Sequence, residues 1–215
     1  MTRLAVIACL CLGLLAGTAR AAESQATDEL LAQLGRITHL QGDFTQRQFG
    51  EGEAVLVESS GSFKLLRPVF FSWEIRAPDR QLIVANEEFL WHYDIDLQTA
   101  TRRPVVGNVD ASPLQILGGD ASALRERYTI TRDAPDVFTL VPLDSAQSFR
   151  RLTVAFADDT ITRMDIVDKL GQRLVVDLQN VDSTTALDAT DFEFTPPPEG
   201  EDLFYLSLIH ISEPT

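Results

Sequence analysis

The chain is 215 residues long, 45% hydrophobic and 23% charged, and 32 acidic against 18 basic side chains set its formal net charge at −14. That charge repels nucleic acid and anionic lipid surfaces, so a nucleic-acid partner is excluded. The two cysteines, Cys9 and Cys11, both fall in an N-terminal leader, which excludes disulfides, thiolate metal ligation and a cysteine nucleophile from the mature protein.

The leader comes first along the chain. Arg3 precedes an apolar run from Leu4 to Leu15, and Ala19-Arg20-Ala21 supplies a small-x-small cleavage site, so residues 1–21 read as a signal peptide removed after Ala21. The run is too short for a bilayer core, which needs roughly 20 apolar residues. Val6-Ile7-Ala8-Cys9 superficially resembles a lipobox but lies too close to the start. Loss of two arginines and no acid takes the charge to −16. Solubility explains that excess, and docking on a basic partner surface is the sharper reading. Residues 22–205 are expected to form a single domain, with no repeat or Gly/Ser linker to divide them.

Ser24 to Ile37 reads as an amphipathic helix, capped by Ser24 or Thr27, with Leu30, Leu31, Leu34 and Ile37 on one face. The period then drops to two. Short alternating runs follow at Phe44 to Phe49, Ala54 to Val57, Ser62 to Leu66, Val69 to Ile75, Gln81 to Ala85, Phe89 to Tyr93 and Gln98 to Arg103, each broken by Gly, Pro, Asn or Asp. Ser112-Pro113 through Gly118-Gly119 carries the cap, first-turn proline and terminal glycines of a short helix, and Ser122 to Arg127 suggests another. Strands resume at Tyr128 to Arg132, Val137 to Val141, Arg150 to Phe156, Ile161 to Val167, Leu174 to Gln179 and Phe192 to Phe194. Sequential spacing of this kind favours an antiparallel meander, and a long sheet with one apolar face must curl around the helices.

The stretch Gly61 to Thr101 holds two Trp, four Phe and a Tyr around one Arg-Pro step, aromatic walls that suggest a cavity. Arg67 is in phase with Val69, Phe71 and Trp73, so a guanidinium with five donors and no acceptor shares an apolar face and needs carbonyls or a carboxylate. The last carbonyls of a short helix are unpaired. Arg67 is therefore expected to latch the segment Pro113 to Leu117 over the cavity, unless it snorkels to the sheet edge and pairs with a surface acid.

Catalytic signatures are missing. The sequence holds no H-E-x-x-H, G-x-S-x-G, G-x-G-x-x-G or P-loop lysine. His39, His92 and His210 are scattered, and His92 reads as a hydrogen-bonded strand residue. Asp94-Ile95-Asp96 could place two carboxylates on one strand face but lacks the glycine and downstream Glu of a calcium loop, and reads as a polar hairpin end. No enzyme activity, cofactor or metal is expected.

These residues carry a resemblance. An initial amphipathic helix, then Gly42-x-Phe44-x-Gln46, Arg67-Pro68-x-x-Phe71-x-Trp73, Pro78-x-x-Gln81, Leu90-Trp91-x-Tyr93-x-x-x-Leu97, Ser112-Pro113-Leu114 and Phe192-x-Phe194-x-Pro196-Pro197, in this order through most of residues 24 to 203, resemble the LolA family of periplasmic outer-membrane lipoprotein carriers. The resemblance implies a mainly β fold, an incomplete antiparallel β-barrel whose apolar concave cavity is covered by about three short helices acting as a lid. It implies that Arg67 hydrogen-bonds that lid when the cavity is empty. Leu30, Leu34, Phe44, Phe71, Trp73, Trp91, Tyr93, Leu114 and Leu117 are the residues expected to line the cavity or act in transfer. The implied partners are acylated outer-membrane lipoproteins, a LolCDE-type inner-membrane ABC transporter as source and a LolB-type acceptor at the outer membrane, with the carrier itself a monomer in the periplasm. A LolA-like carrier of another amphiphile such as a glycolipid is one alternative. Others are a LolB-like acceptor, against which the small-residue cleavage site argues, and a hydrolase using Asp94 and Asp96. After Gly200 the chain departs from the family pattern, and residues 206–215, LSLIHISEPT, look like a non-native tail.

Overall fold

The computed structural model describes residues 23–50, 53–105, 121–144, 147, 149–196 and 204–205. The leader, the predicted helix at residues 112–119 with Leu114 and Leu117, and the tail at 206–215 lie outside the described residues.

The first helix, α1, spans residues 23–36. Ser24 and Thr27 lie inside it and not at its cap, and the Thr27 hydroxyl donates back to the Glu23 carbonyl at 2.8 Å, one turn earlier. Six strands follow as a meander, β1 (His39–Phe49), β2 (Val55–Leu66), β3 (Phe70–Ala77), β4 (Gln81–Ala85), β5 (Phe89–Asp94) and β6 (Thr99–Pro104). Helix α2 (Ala121–Arg127) leads into a second meander, β7 (Tyr128–Ala134), β8 (Val137–Pro142), β9 (Phe149–Ala157), β10 (Thr160–Asp168) and β11 (Arg173–Asp182). The two are joined where β11 pairs with β1, and the two-residue β12 (Phe204–Tyr205) runs parallel to β6. One twelve-stranded sheet results, in the order β12-β6-β5-β4-β3-β2-β1-β11-β10-β9-β8-β7. Its two edges, β12 and β7, do not pair, so the sheet stays open.

Two expected boundaries shift for identifiable reasons. The runs at Ala54–Val57 and Ser62–Leu66 are one strand, β2, because Gly61 breaks the side-chain pattern and not the ladder. Phe192 to Phe194 is not a strand: Asp188 caps a 3-10 turn at Ala189–Phe192, accepting from the Thr190 amide while the Asp191 carboxylate accepts from the Asp188 amide. The β9 to β10 hairpin turns on Asp158 and Asp159, both at positive φ, the pairing a two-residue turn of primed type requires.

Register assigns the faces. Phe44 lies opposite Gly61 and Leu178, Phe63 opposite Trp73, Leu65 opposite Phe71, and Met164 opposite both Val154 and Val176. All but Gly61 belong to one buried cluster on the inner face, which Leu30 and Leu34 of α1, Ile37 just after it and Leu124 of α2 cover. Register shifts at Gln41/Asp43, Ser60/Gly61 and Val167/Asp168 bend the sheet around those helices.

Gly61 marks the tightest point of the curve. The Phe44 ring stacks on Trp73 at a centroid distance of 3.7 Å, and a Cβ on Gly61 would sit 2.9 Å from that ring and 1.7 Å from the Glu74 carbonyl oxygen. Gly61→Ala should therefore separate β2 from β3 and lower stability by on the order of 3 kcal/mol, measured by urea unfolding. A midpoint equal to that of the parent would contradict this packing.

Candidate functional site

The inner face is built by alternation. Phe44, Phe63, Leu65, Phe71 and Trp73 project inward from β1 to β3, and from the far meander Phe138, Leu152, Val154, Met164, Val176 and Leu178 face them. Leu30 and Leu34 are completely or almost completely buried against this surface. The structure thus brings together five of the residues expected there: Leu30, Leu34, Phe44, Phe71 and Trp73.

Trp91 and Tyr93 are not among them. Leu90 of β5 pairs with Ala85, which pairs with Phe71, so Leu90 takes the inward position while Trp91 and Tyr93 lie on the outer face with Val84 and Leu82. There they meet the segment after β11. Phe194 packs against Trp91 and Tyr93, each at 5.5 Å, and Phe192 packs against Phe70 at 5.5 Å. The Arg102 guanidinium lies 4.2 Å from the Phe89 ring centroid and 5.1 Å from that of Trp91. The sequence shows both strand faces as aromatic, and only register separates them.

Arg67 reaches the first helix. It sits in the turn between β2 and β3, where the Arg67-Pro68 peptide bond is cis, and its backbone amide donates to the Thr38 carbonyl at 2.9 Å. Its Nη1 donates to the Leu34 carbonyl at 2.5 Å, in the last turn of α1. That carbonyl also accepts from the Ile37 amide at 3.1 Å. The expected chemistry, a guanidinium on a helix's terminal carbonyls, is present at α1; the expected partner segment, Pro113 to Leu117, lies outside the described residues. The signal available in the sequence was the apolar stripe of α1, whose C-terminal carbonyls carry the same orphaned acceptors.

Polar contacts on the exposed side of α1 complete its attachment. Arg125 pairs with Asp28 at 2.7 Å, Arg132 with Glu29 at 2.9 Å, Arg36 with Asp159 at 2.5 Å, and Gln33 donates to Asp136 at 3.0 Å. Exposed pairs of this kind contribute at most about 1 kcal/mol each and weaken in salt. The cover is thus a buried apolar stripe held by weak surface pairs and by the charged hydrogen bond from Arg67.

The remaining candidates have structural partners. Asp94 accepts from the Leu97 amide at 2.9 Å, and Asp96 accepts from the Arg80 amide at 2.8 Å and its Nε at 2.9 Å. The Arg80 amide first, then its guanidinium, hold the Asp96 carboxyl below the usual carboxylate range. An acid so held is a poor proton donor near neutrality. His92 Nε2 lies 3.0 Å from Gln81 Oε1. Among the described residues no group of His, Cys, Asp and Glu could hold a metal ion, and no helix is long and apolar enough to cross a membrane.

The outer segment is charge-controlled. Lys64 pairs with Asp191 at 2.6 Å and, with the Asp188 amide, holds the Asp191 carboxyl below its ordinary range, while the Thr190 hydroxyl does the same for Asp188. Both carboxyls are depressed, so their stabilising contribution is full above the ordinary range near pH ~4 and is lost as pH falls through the lowered values. As pH falls below the ordinary carboxylate range, amides of residues 189–194 should lose hydrogen-exchange protection before those of β9 and β10; simultaneous loss would contradict a locally capped segment.

Comparison with known proteins completes the description. The family described as "Outer membrane lipoprotein carrier protein LolA" matches residues 36–195. An outer-membrane lipoprotein carrier protein of Alkalilimnicola ehrlichii is 33% identical over 93% of this chain and 92% of its own length. That of Halorhodospira halophila is 32% identical over 95% of this chain and 96% of its length, and that of Coxiella burnetii 32% identical over 81% and 85%. Among solved structures, an uncharacterized conserved protein from Thermus thermophilus superposes with a TM-score of 0.50 at 15% identity, covering 83% of this chain and 98% of that one.

Proposed function

Because the chain belongs to the LolA family of outer-membrane lipoprotein carriers, we propose that it takes up acylated lipoproteins released from the inner membrane, shields their acyl chains on the inner face of its sheet and delivers them to the outer membrane. The observation that carries this reading is the removable cover. An inner face lined by Phe44, Phe71 and Trp73 is closed by α1 rather than by a second sheet, and α1 is held at its C-terminal end by Arg67. Acyl chains replace Leu30 and Leu34 when α1 swings away. The process runs in the periplasm, with a LolCDE-type ABC transporter as source, a LolB-type acceptor as destination and a monomer as the carrier. No catalytic step is assigned to the protein.

Energetics require such a cover. Three acyl chains of ~15 methylenes would gain about 36 kcal/mol if wholly buried. That exceeds the ceiling of about 18 to 21 kcal/mol for non-covalent affinity, and a shuttle must also let go. Restoring the Leu30 and Leu34 contacts and the Arg67 hydrogen bond on release offsets part of the gain. Leu114 and Leu117, in the sequence that follows β6, are assigned to the same acyl-binding role.

Native mass spectrometry of the protein from a Gram-negative periplasm, with transfer to the outer membrane blocked, should show one acylated lipoprotein per carrier. A bound free lipid in its place would move the reading to another amphiphile.

Arg67→Leu should still take up lipoprotein but release it to acceptor at least tenfold more slowly, since a charged hydrogen bond worth about 1.5 to 3 kcal/mol no longer favours the closed form. Transfer at the parent rate would sink the latch. If the acidic surface guides docking, transfer should also slow as salt rises; an unchanged rate would leave solubility as the reason for the charge.

A further inference from the structure

Apolar exposure is confined to one end of the sheet. The large hydrophobic side chains that stand exposed among the described residues are Val55, Leu56, Val57, Leu97, Val141, Leu143 and Leu170. Val55–Val57 open β2, Leu97 lies in the β5 to β6 turn, Val141 and Leu143 end β8 and begin its loop to β9, and Leu170 lies in the β10 to β11 turn. In an antiparallel order these positions all fall at the same end, the one away from Arg67. Turns at the opposite end carry Asn86, Glu87, Glu88, Asp136, Asp158 and Asp159.

Cations without ion-pair partners lie at this end beside its acids Asp144 and Asp168. Most described cations are paired, as in Arg47 with Asp177, Arg163 with Asp177 and Arg173 with Asp165. Among the described residues the side chains of Arg103, Arg127, Arg150, Arg151 and Lys169 have no hydrogen-bond or ion-pair partner, and of these Arg150 and Lys169 line a cleft of about 420 Å³ whose other walls are Val141, Pro142, Leu143, Asp144 and Phe149. In a chain with 32 acids, unpaired cations beside exposed aliphatics mark an anionic, apolar neighbour.

We propose that this end of the sheet settles on the headgroup layer of a phospholipid bilayer, with Leu143, Leu170 and Val55–Val57 entering the layer and Arg150 and Lys169 meeting lipid phosphates. The aliphatics stand on four separate connections and form no continuous groove, a pattern that a fluid interface accommodates more readily than a rigid protein partner does. Net acidity repels the rest of the molecule from an anionic leaflet only within a Debye length of about 8 to 10 Å, so contact is local, weak and reversible. The inference rests on the carrier reading, which requires the protein to approach membranes at both ends of its path.

The test uses the mature protein and vesicles of phosphatidylethanolamine and phosphatidylglycerol that contain no lipoprotein. Flotation should recover bound parent protein. Leu143→Asp/Leu170→Asp should lower that binding by roughly tenfold or more, and Arg150→Glu/Lys169→Glu should lower it by a similar factor, with unchanged thermal unfolding. Failure of the parent to bind, or equal binding by all three proteins, would overturn the proposal, and binding lost only in the charge-reversed variant would overturn insertion and reassign the cleft to an anionic ligand. Lipoprotein uptake from spheroplasts, measured in parallel, separates the two readings: uptake without vesicle binding removes this inference alone.

Discussion

A curved sheet that stops short of closing must have its inner face covered by something other than a strand. Among the described residues that something is mainly α1, helped by Leu124 of α2, and the rest of the molecule is arranged around the need to hold it there. Leu30, Leu34 and Ile37 supply the apolar contact, and twelve strands bent at Gly42 and Gly61 give them a concave surface to fill. A closed barrel or a two-sheet sandwich would bury the same residues permanently. An open sheet with a helical cover buries them only while the cover is on, and this makes the fold suited to carrying cargo.

The means of attachment are graded accordingly. Burial of the α1 stripe is the large contribution, the exposed pairs such as Arg132 with Glu29 are small, and Arg67 on the Leu34 carbonyl lies between them. Arg67 also ties the start of β1 through its amide on Thr38, so the turn from β2 to β3 and the exit from α1 are fastened at one point. The cover is therefore pinned at one end of the sheet, while the exposed aliphatics gather at the other.

The outer face is a distinct apolar system. Trp91, Tyr93 and Phe70 would be exposed on a bare sheet, and the segment through Phe192 and Phe194 covers them. The capping box at Asp188 and Asp191, with Lys64 across from it, fixes that segment by polar contacts at the surface. The aromatic density of β3 to β5 thus serves two faces with two covers.

Much of this was legible in the sequence. The period-two runs mark nearly every strand, since one wet face forces polar and apolar residues to alternate, and the stripe Leu30, Leu34, Ile37 marks α1 by its helical spacing. Arg67 could be singled out because a guanidinium in an apolar pattern must find acceptors. The ordered motifs pointed to the family that the relatives confirm. Three things could not be read. That Arg67 reaches the Leu34 carbonyl depends on which carbonyls the folded chain brings within about 3 Å, the reach of a hydrogen bond. Trp91 and Leu90 are equally apolar neighbours, so only the pairing of β5 with β4 decides which of them faces inward. The gathering of Leu97, Leu143 and Leu170 at one rim joins residues far apart in the chain, and strand order alone puts them together. Local chemistry determined the elements; long-range pairing, which follows from burying all apolar stripes at once, decided which faces look inward and which meet.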